Sequence, residues 1–293
     1  MPAQPGEKAP SLRLMLAYNP ESGRFSQAGL MALRGELETA GHEVGIVDSL
    51  QLRGSGPARP TDLVCIVGGD GTARTVIGRD RRGKKAGRYC IYPAGSANLV
   101  AREAGYPRRA SAFRKRIEQG TAGGRYYLGQ IGDEVFLCCA SIGPDSAAVA
   151  RVTPALKKRF GRLAYVLALA GQLLHWPRQR FAVTLDGETF AAEAVFVCKG
   201  RHYAGPWTLD GEADLRHDYF RVLLLDRCRR RDFLRLVLSG LVHPRLADAQ
   251  WIRRSARTVE VSGIAGLPVQ ADGDILTATP ARFTIAPEPV AFL

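Results

Sequence analysis

Short apolar runs, most of them ending in glycine, proline or asparagine, set the rhythm of the N-terminal part of the chain. Leu12–Tyr18, Glu43–Val47, Asp62–Val67 and Arg88–Tyr92 read as strands, and the unbroken apolarity of the third predicts a parallel strand buried on both faces. Between them, Phe25–Ala40 places Leu30, Leu33 and Leu37 at helical spacing and stops at Gly41. Helix-compatible residues resume at Thr72 and over Leu99–Ala104. Strand, helix, strand and glycine loop recur over residues 12–105, which predicts a doubly wound α/β domain.

From Tyr126 the texture becomes strand-rich. Tyr126–Ile131 and Val135–Ala140 are expected to form a hairpin about Gly132-Asp133. Phe181–Leu185 and Thr189–Cys198 form a second about Asp186-Gly187, and Tyr219–Leu225, Thr258–Val261 and Phe283–Ile285 add strands. One long helix is expected over Pro154–His175. The expected organisation is therefore an α/β domain over 11–125 and a β-rich domain over 126–283, with a last strand near 284–293 able to return to the first. The residues before Leu12 read as a disordered lead, and Gly54–Pro60 as a loop.

Composition narrows the class. No apolar run reaches bilayer-spanning length and Met1–Pro10 lacks the core of a signal peptide, so a cytoplasmic protein is expected. The cysteines (Cys65, Cys90, Cys138, Cys139, Cys198, Cys228) show no Cys-x-x-Cys spacing, which points to buried reduced thiols. No histidines pair at helical metal-ligand spacing. With 41 Lys+Arg against 28 Asp+Glu the formal net charge is +13. That excess suits nucleic acid, a polyphosphate ligand or an acidic membrane surface, and an arginine-rich genome composition would produce it as well.

Candidate chemistry gathers where strands end. Ile66-Val-Gly68-Gly69-Asp70-Gly71-Thr72 ends a strand in glycines ahead of a helix, which lets backbone N–H groups approach a phosphate chain. Asp70 fits there if it faces Mg²⁺ or a hydroxyl about to be deprotonated. An ordinary tight turn with a solvated Asp is the alternative. Asn19–Gly23 and Gly95-Ser96-x-Asn98 are loops of the same kind; each alone reads equally well as a turn and cap, Ser96 and Thr72 being good caps. Three on successive strands point to a phosphate site at the carboxyl edge of the sheet. Gly78–Lys85 nearly spells a P-loop, but lacks the Ser/Thr and follows a helix, so it reads as a solvated basic loop.

Asn19-Pro-x-Ser-Gly23, Gly68-Gly-Asp-Gly-Thr72 and Pro93-x-Gly-Ser-x-Asn98-x-x-Ala-Arg102 resemble, in order and spacing, the motifs of the diacylglycerol kinase catalytic-domain family. That family includes soluble bacterial diacylglycerol kinases, sphingosine kinases and ceramide kinases. The likeness continues through Ala140-Ser-Ile-Gly143-x-Asp145, Phe160–Tyr165, Tyr203-Ala-Gly205 and Val269-Gln-Ala-Asp272-Gly-Asp274. The resemblance implies an ATP-binding α/β domain, a lipid-binding β-sandwich and catalysis in the cleft between them. It implies ATP- and Mg²⁺-dependent phosphorylation of the primary hydroxyl of a diacylglycerol- or ceramide/sphingoid-type lipid. By position, Gly68, Gly69, Asp70, Gly71, Thr72, Ala73 and Arg74 would wrap the nucleotide phosphates, with Asn19, Ser22, Gly23, Gly95, Ser96 and Asn98 from the flanking loops and Ser49 assisting. Asp70 would act through Mg²⁺ or at the acceptor hydroxyl. Asp272 and Asp274 would form an acidic pair containing a general base, although a hairpin turn would look the same in sequence.

The chain departs from the family's pattern in three places. Arg74-Thr75 stands where an Asn-Glu pair is usual, Asp274 where a Glu is usual, and Arg216-His217-Asp218 where an Asp-Asp-Gly holds a structural Mg²⁺. Two basic segments, Arg108–Arg116 and Arg229–Leu238, suit peripheral contact with the headgroups of an anionic membrane on its inner face, or the solvated faces of packed helices. An NAD kinase-like enzyme and a nucleotide- or lipid-binding homologue without catalysis are the other readings. No nucleic-acid recognition motif is visible, so no nucleic-acid partner is expected. The oligomeric state stays open, a homodimer included.

Overall fold

The computed structural model of the chain describes residues 11–51, 61–83, 87–120, 124–153, 168, 171, 176, 178–203, 205, 207–231 and 251–293. Outside these lie the lead before Ser11, the loop Gly54–Pro60, Lys84 and Lys85, and Ala204. The Phe160–Tyr165 stretch, all but Ala168 and Gly171 of the expected helix, and residues 232–238 of the second basic segment lie outside as well. The chain divides into two compact units, Met1–Arg125 with Val290–Leu293, and Tyr126–Pro289.

The first unit is built on β1 (Arg13–Tyr18), α1 (Gln27–Thr39), β2 (Glu43–Asp48), β3 (Leu63–Gly68), α2 (Asp70–Arg82), β4 (Arg88–Pro93), α3 (Leu99–Glu103) and α4 (Ala110–Glu118). β5 (Gly124–Tyr126) and the distant β20 (Val290–Phe292) complete a six-stranded sheet of order β2-β1-β3-β4-β20-β5. β1 pairs in parallel with both β2 and β3, so the strand order reverses direction at β1. In open α/β sheets this reversal opens a crevice outside the carboxyl ends of the two diverging strands. β3, central and apolar along its whole length, is buried at all six positions, as its sequence predicts. Ser26 caps α1 by accepting from Gly29 N–H, and Leu30, Leu33 and Leu37 form its buried stripe.

One reading of this unit is corrected and another is decided in part. Gly78–Arg82 is no loop but the last turn of α2, because Asp80 is buried and accepts from Tyr89 Oη at 2.8 Å. The Arg108–Arg116 segment carries α4, whose Phe113 and Ile117 are buried while Arg114 pairs with Glu36 and Glu118. The segment is thus a packed helix, one of its two readings.

The second unit holds two antiparallel sheets. One runs β10 (Glu188–Ala192), β9 (Phe181–Leu185), β16 (Thr258–Ser262), β19 (Ala281–Ile285), β6 (Gly129–Ile131), β7 (Glu134–Phe136). The other runs β15 (Ile252–Ala256), β14 (Phe220–Leu225), β11 (Ala194–Cys198), β8 (Cys139–Ile142), β17 (Pro268–Ala271), β18 (Asp274–Ala278). The short α5 (Pro144–Ala150) and a small ribbon of β12 (His202–Tyr203) and β13 (Trp207–Thr208) lie between strands in sequence. Inward residues of both sheets share one core, where Phe136 stacks on Phe220 and meets Phe283 edge-on. Each such ring removed from water contributes roughly 1.5–3 kcal/mol.

Three predicted strands prove to be two strands each. Val135–Ala140 divides into β7 and β8, which belong to different sheets, and Tyr126–Ile131 divides into β5 and β6. Thr189–Cys198 likewise turns a corner between β10 and β11. A corner strips the backbone of ladder partners, and acids stand at the β7–β8 and β10–β11 corners. Asp272 accepts from the N–H of Leu137, Cys138 and Cys139 at 2.7, 2.9 and 3.2 Å. Buried Glu193 accepts from Cys228 N–H at 2.8 Å and from Arg178 at 3.1 Å. Apolar continuity hid these breaks. Residues 284–289 stay with the second unit, since β19 extends through Ile285 and pairs with β6, and the return to the first sheet begins at Val290.

Candidate active site

Three loops meet at the carboxyl ends of β1, β3 and β4. Asn19 donates from Nδ2 to Thr72 Oγ1 at 3.2 Å, and the Ser22 and Thr72 hydroxyls are 3.4 Å apart. The main chains are joined as well: Asn19 N–H donates to Val67 O, Ala94 N–H to Gly68 O and Arg24 N–H to Ala94 O. Tyr18 and Phe25 stack across the base of the first loop at 5.4 Å.

Glycine is required where the loops touch. A Cβ on Gly95 would overlap Gly69 and lie 2.8 Å from Asn98 Oδ1, and one on Gly23 would lie 2.6 Å from Ser96 Oγ. Asn98 closes the third loop on itself, accepting from Gly95 N–H and donating to Gly95 O, in a left-handed conformation that Asn tolerates. Asn19, Ser22, Gly23, Gly68 to Thr72, Gly95, Ser96 and Asn98 therefore form one cluster. Ser96 is exposed within it, Thr72 is buried as its hydrogen-bonded hub, and Ala73 is buried in the first turn of α2. Ser49 is buried at the end of β2, its N–H given to Tyr18 O, and Arg74 is half-buried on α2. Neither Thr72 nor Ser96 serves as a cap. The N-cap of α2 is Gly69, with no side-chain bond to the helix, so the start of α2 keeps the dipole and the orphan amides that favour an anion.

Asp70 differs from its sequence reading. Its carboxylate is buried, and its two oxygens accept from Leu99 N–H at 2.9 Å and Val100 N–H at 3.0 Å. It thereby ties the start of α2 to the start of α3. Burial pushes its pKa above the ordinary carboxylate value, against the amides of Leu99 and Val100. The start of α3 is consequently not open to a phosphate, because Asp70 already holds those amides.

Among the described residues no three His, Cys, Asp or Glu side chains gather as a metal cage. In the 214–218 stretch Asp214 pairs with Arg216 and Asp218 with Arg257. These residues do not fit a protein-held structural Mg²⁺.

Asp272 and Asp274 flank the β17–β18 turn of the second unit. Asp272 (φ 50°) and Gly273 (φ 87°) make the two-residue turn, with Ala271 opposite Asp274. The Asp272 carboxylate is the corner anchor already described, whereas Asp274 opens β18 half-buried. Behind this turn runs a network that spacing alone did not rank. Asp145 accepts from Ser141 Oγ and Tyr203 Oη, Gln270 Nε2 donates to Ser141 Oγ at 3.0 Å, and Gln270 Oε1 accepts from Gly273 N–H at 3.0 Å. Burial raises the pKa of Asp145, and the hydrogen bonds from Ser141, Tyr203 and Gln270 oppose the rise. The available signal was Ser141 and Gln270 occurring within apolar strands, buried on the face opposite the shared core, where a buried polar side chain needs a partner.

Comparison with known proteins places these features in a family. The diacylglycerol kinase catalytic domain matches residues 13–124, and the YegS C-terminal NAD kinase beta sandwich-like domain matches residues 139–293. A protein of Pseudomonas aeruginosa (strain PAO1) named "Probable lipid kinase YegS-like" is 28% identical over 225 residues, 75% of this chain and 72% of that protein. A "Diacylglycerol kinase" of Mycobacterium tuberculosis (strain H37Rv) is 28% identical over 255 residues, 82% and 79% of the two chains. A crystal structure of a diacylglycerol kinase from Bacillus anthracis superimposes over 96% of each chain with a TM-score of 0.71 at 17% identity, a likeness of fold. The chain belongs to the diacylglycerol kinase catalytic-domain family of phosphotransferases, with a C-terminal half of the YegS β-sandwich type.

Proposed function

We propose that the protein transfers the terminal phosphoryl group of ATP to the primary hydroxyl of a two-chain neutral lipid, diacylglycerol in the first instance. The convergence of the Asn19–Gly23, Gly68–Thr72 and Gly95–Asn98 loops beside the uncapped start of α2 carries this reading. Phosphoryl transfer rests mainly on positioning and charge neutralisation. The first amides of α2 supply oriented donors for phosphate oxygens, and Arg74, one turn into the helix, supplies a full positive charge. Asp70 serves this site as the clamp that sets α2 against α3. In the second unit, Asp274 stands where the resemblance places the general base for the hydroxyl proton, while Asp272 accepts from three amides. A divalent ion would arrive with the nucleotide, since the described residues offer it no cage. The net charge of +13 suits docking on an anionic membrane, from which the acceptor would be drawn.

The test is transfer of labelled phosphate from ATP to micelle-dispersed diacylglycerol, ceramide, sphingosine, monoacylglycerol and phosphatidylglycerol, with NAD as the soluble acceptor. Labelled phosphatidic acid is the expected product. Labelled ceramide instead would move the acceptor while keeping the reaction, and labelled NAD alone would replace the lipid reading.

A further inference from the structure

Lys199 follows β11 directly and is fully buried. Its Nζ donates to the carbonyl oxygen of His217 and, at 3.2 Å, to that of Tyr219. An ammonium taken wholly out of water needs oxygen atoms in place of its hydration shell. Here they come from a segment without regular structure, residues 209–219, which runs as bends and turns between β13 and β14. Main-chain carbonyls converging on one point are the ligands that hard cations take.

The acids of the same segment are engaged elsewhere. Asp210 accepts from Arg221 at 3.2 Å, Asp214 from Arg216 and Asp218 from Arg257. A divalent ion placed here would have to displace a guanidinium to gain a carboxylate, and would sit beside a buried ammonium. Both effects oppose its binding. The family's usual Asp-Asp-Gly is Arg216-His217-Asp218 in this chain, so the ion implied by the resemblance and the residues present disagree.

We propose that Lys199 is the resident cation of the 209–219 segment, its ammonium holding carbonyls that a structural divalent ion would otherwise hold, so that the segment folds without metal. The same residue ties the segment to the acidic turn. Lys199 N–H and Gly200 N–H donate to Cys138 O at 2.7 and 3.0 Å, and Cys138 N–H donates to Asp272. Loss of the ammonium would therefore be felt one peptide away from the Asp272 anchor.

The test uses the intact chain and no phosphoryl transfer, so its failure is separable from failure of the lipid-kinase reading. The wild-type protein, purified without nucleotide, is dialysed against EDTA, analysed for bound metal and melted with EDTA or with MgCl₂. No stoichiometric metal and the same melting temperature in both are expected; tightly bound Mg²⁺ or Ca²⁺, or a lower melting temperature in EDTA, overturns the proposal. Lys199→Met should melt roughly 5–10 °C lower, having lost the ammonium that donates to the His217 and Tyr219 carbonyls. Unchanged melting overturns the proposal. Lys199→Ala should melt lower too and be partly restored by methylammonium chloride relative to sodium chloride, a response absent from the wild type; no differential response counts against it. Should neither variant fold, the wild-type measurement decides alone.

Discussion

Both oxygens of Asp70 point into the start of α3, so removing its charge acts on the fold as well as on the chemistry. Asp70→Asn turns one oxygen into an NH₂ that opposes a backbone N–H, and roughly 1–3 kcal/mol of stability should be lost together with phosphate transfer. Thermal melting and the transfer assay check the two effects on one sample, and full activity would remove Asp70 from the mechanism. Asp272→Asn should behave alike, because three amides lose part of their acceptor, whereas Asp274→Asn should lower turnover if Asp274 is the base. Asp214 gives a pH signature. Its bond to Arg216 holds its pKa down from 3.8 to about 2, so the fold prefers the charged form. That contribution is complete above the ordinary carboxylate range and is lost as pH falls from about 4 towards 2. Melting of Asp214→Asn should accordingly fall less steeply over that window, with the difference shrinking in high salt because Arg216 is exposed. The motifs identified which residues gather at the first loop cluster. What they could not convey is that Asp70 and Asp272 are spent on backbone amides, since a capping carboxylate and a catalytic one are the same letter.

Among the elements, the parallel strands and α1 were readable because continuous apolarity and a three-to-four-residue stripe are strong signals. The corners of the second unit were not, because β7 continues into β8 and β10 into β11 with little change of polarity. Asp272 holds the backbone amides where the chain leaves one sheet for the other at β7–β8, and Glu193 stands at the β10–β11 corner. Glycines separate tolerance from necessity in the same way. Gly95→Ala should drive its loop from Gly69 and weaken nucleotide binding by isothermal titration. Gly35 lies exposed in α1 with nothing within 4 Å of an added Cβ, so Gly35→Ala should stabilise by roughly 0.5–1 kcal/mol and leave nucleotide affinity unchanged.

For the whole molecule, the telling feature is β20, which pairs in parallel with β4 and lies between β4 and β5. Val290 and Phe292 are buried there, Leu293 N–H donates to Tyr89 O at 2.9 Å, and Tyr106 Oη donates to Leu293 O. Ending the chain at Pro289 forfeits about 3–6 kcal/mol of burial from those two side chains alone. The truncated protein should melt well below the intact one, and equal melting would show the strand to be dispensable. A ribosome completes β1 to β4 long before it makes β20, with the entire second unit translated in between. Throughout that interval the nascent loop cluster rests on a sheet with an open edge at β4, a surface that invites pairing with other chains. Synthesis of the second unit is thus a waiting period for the first, and chaperone demand should track the time spent translating residues 126–289.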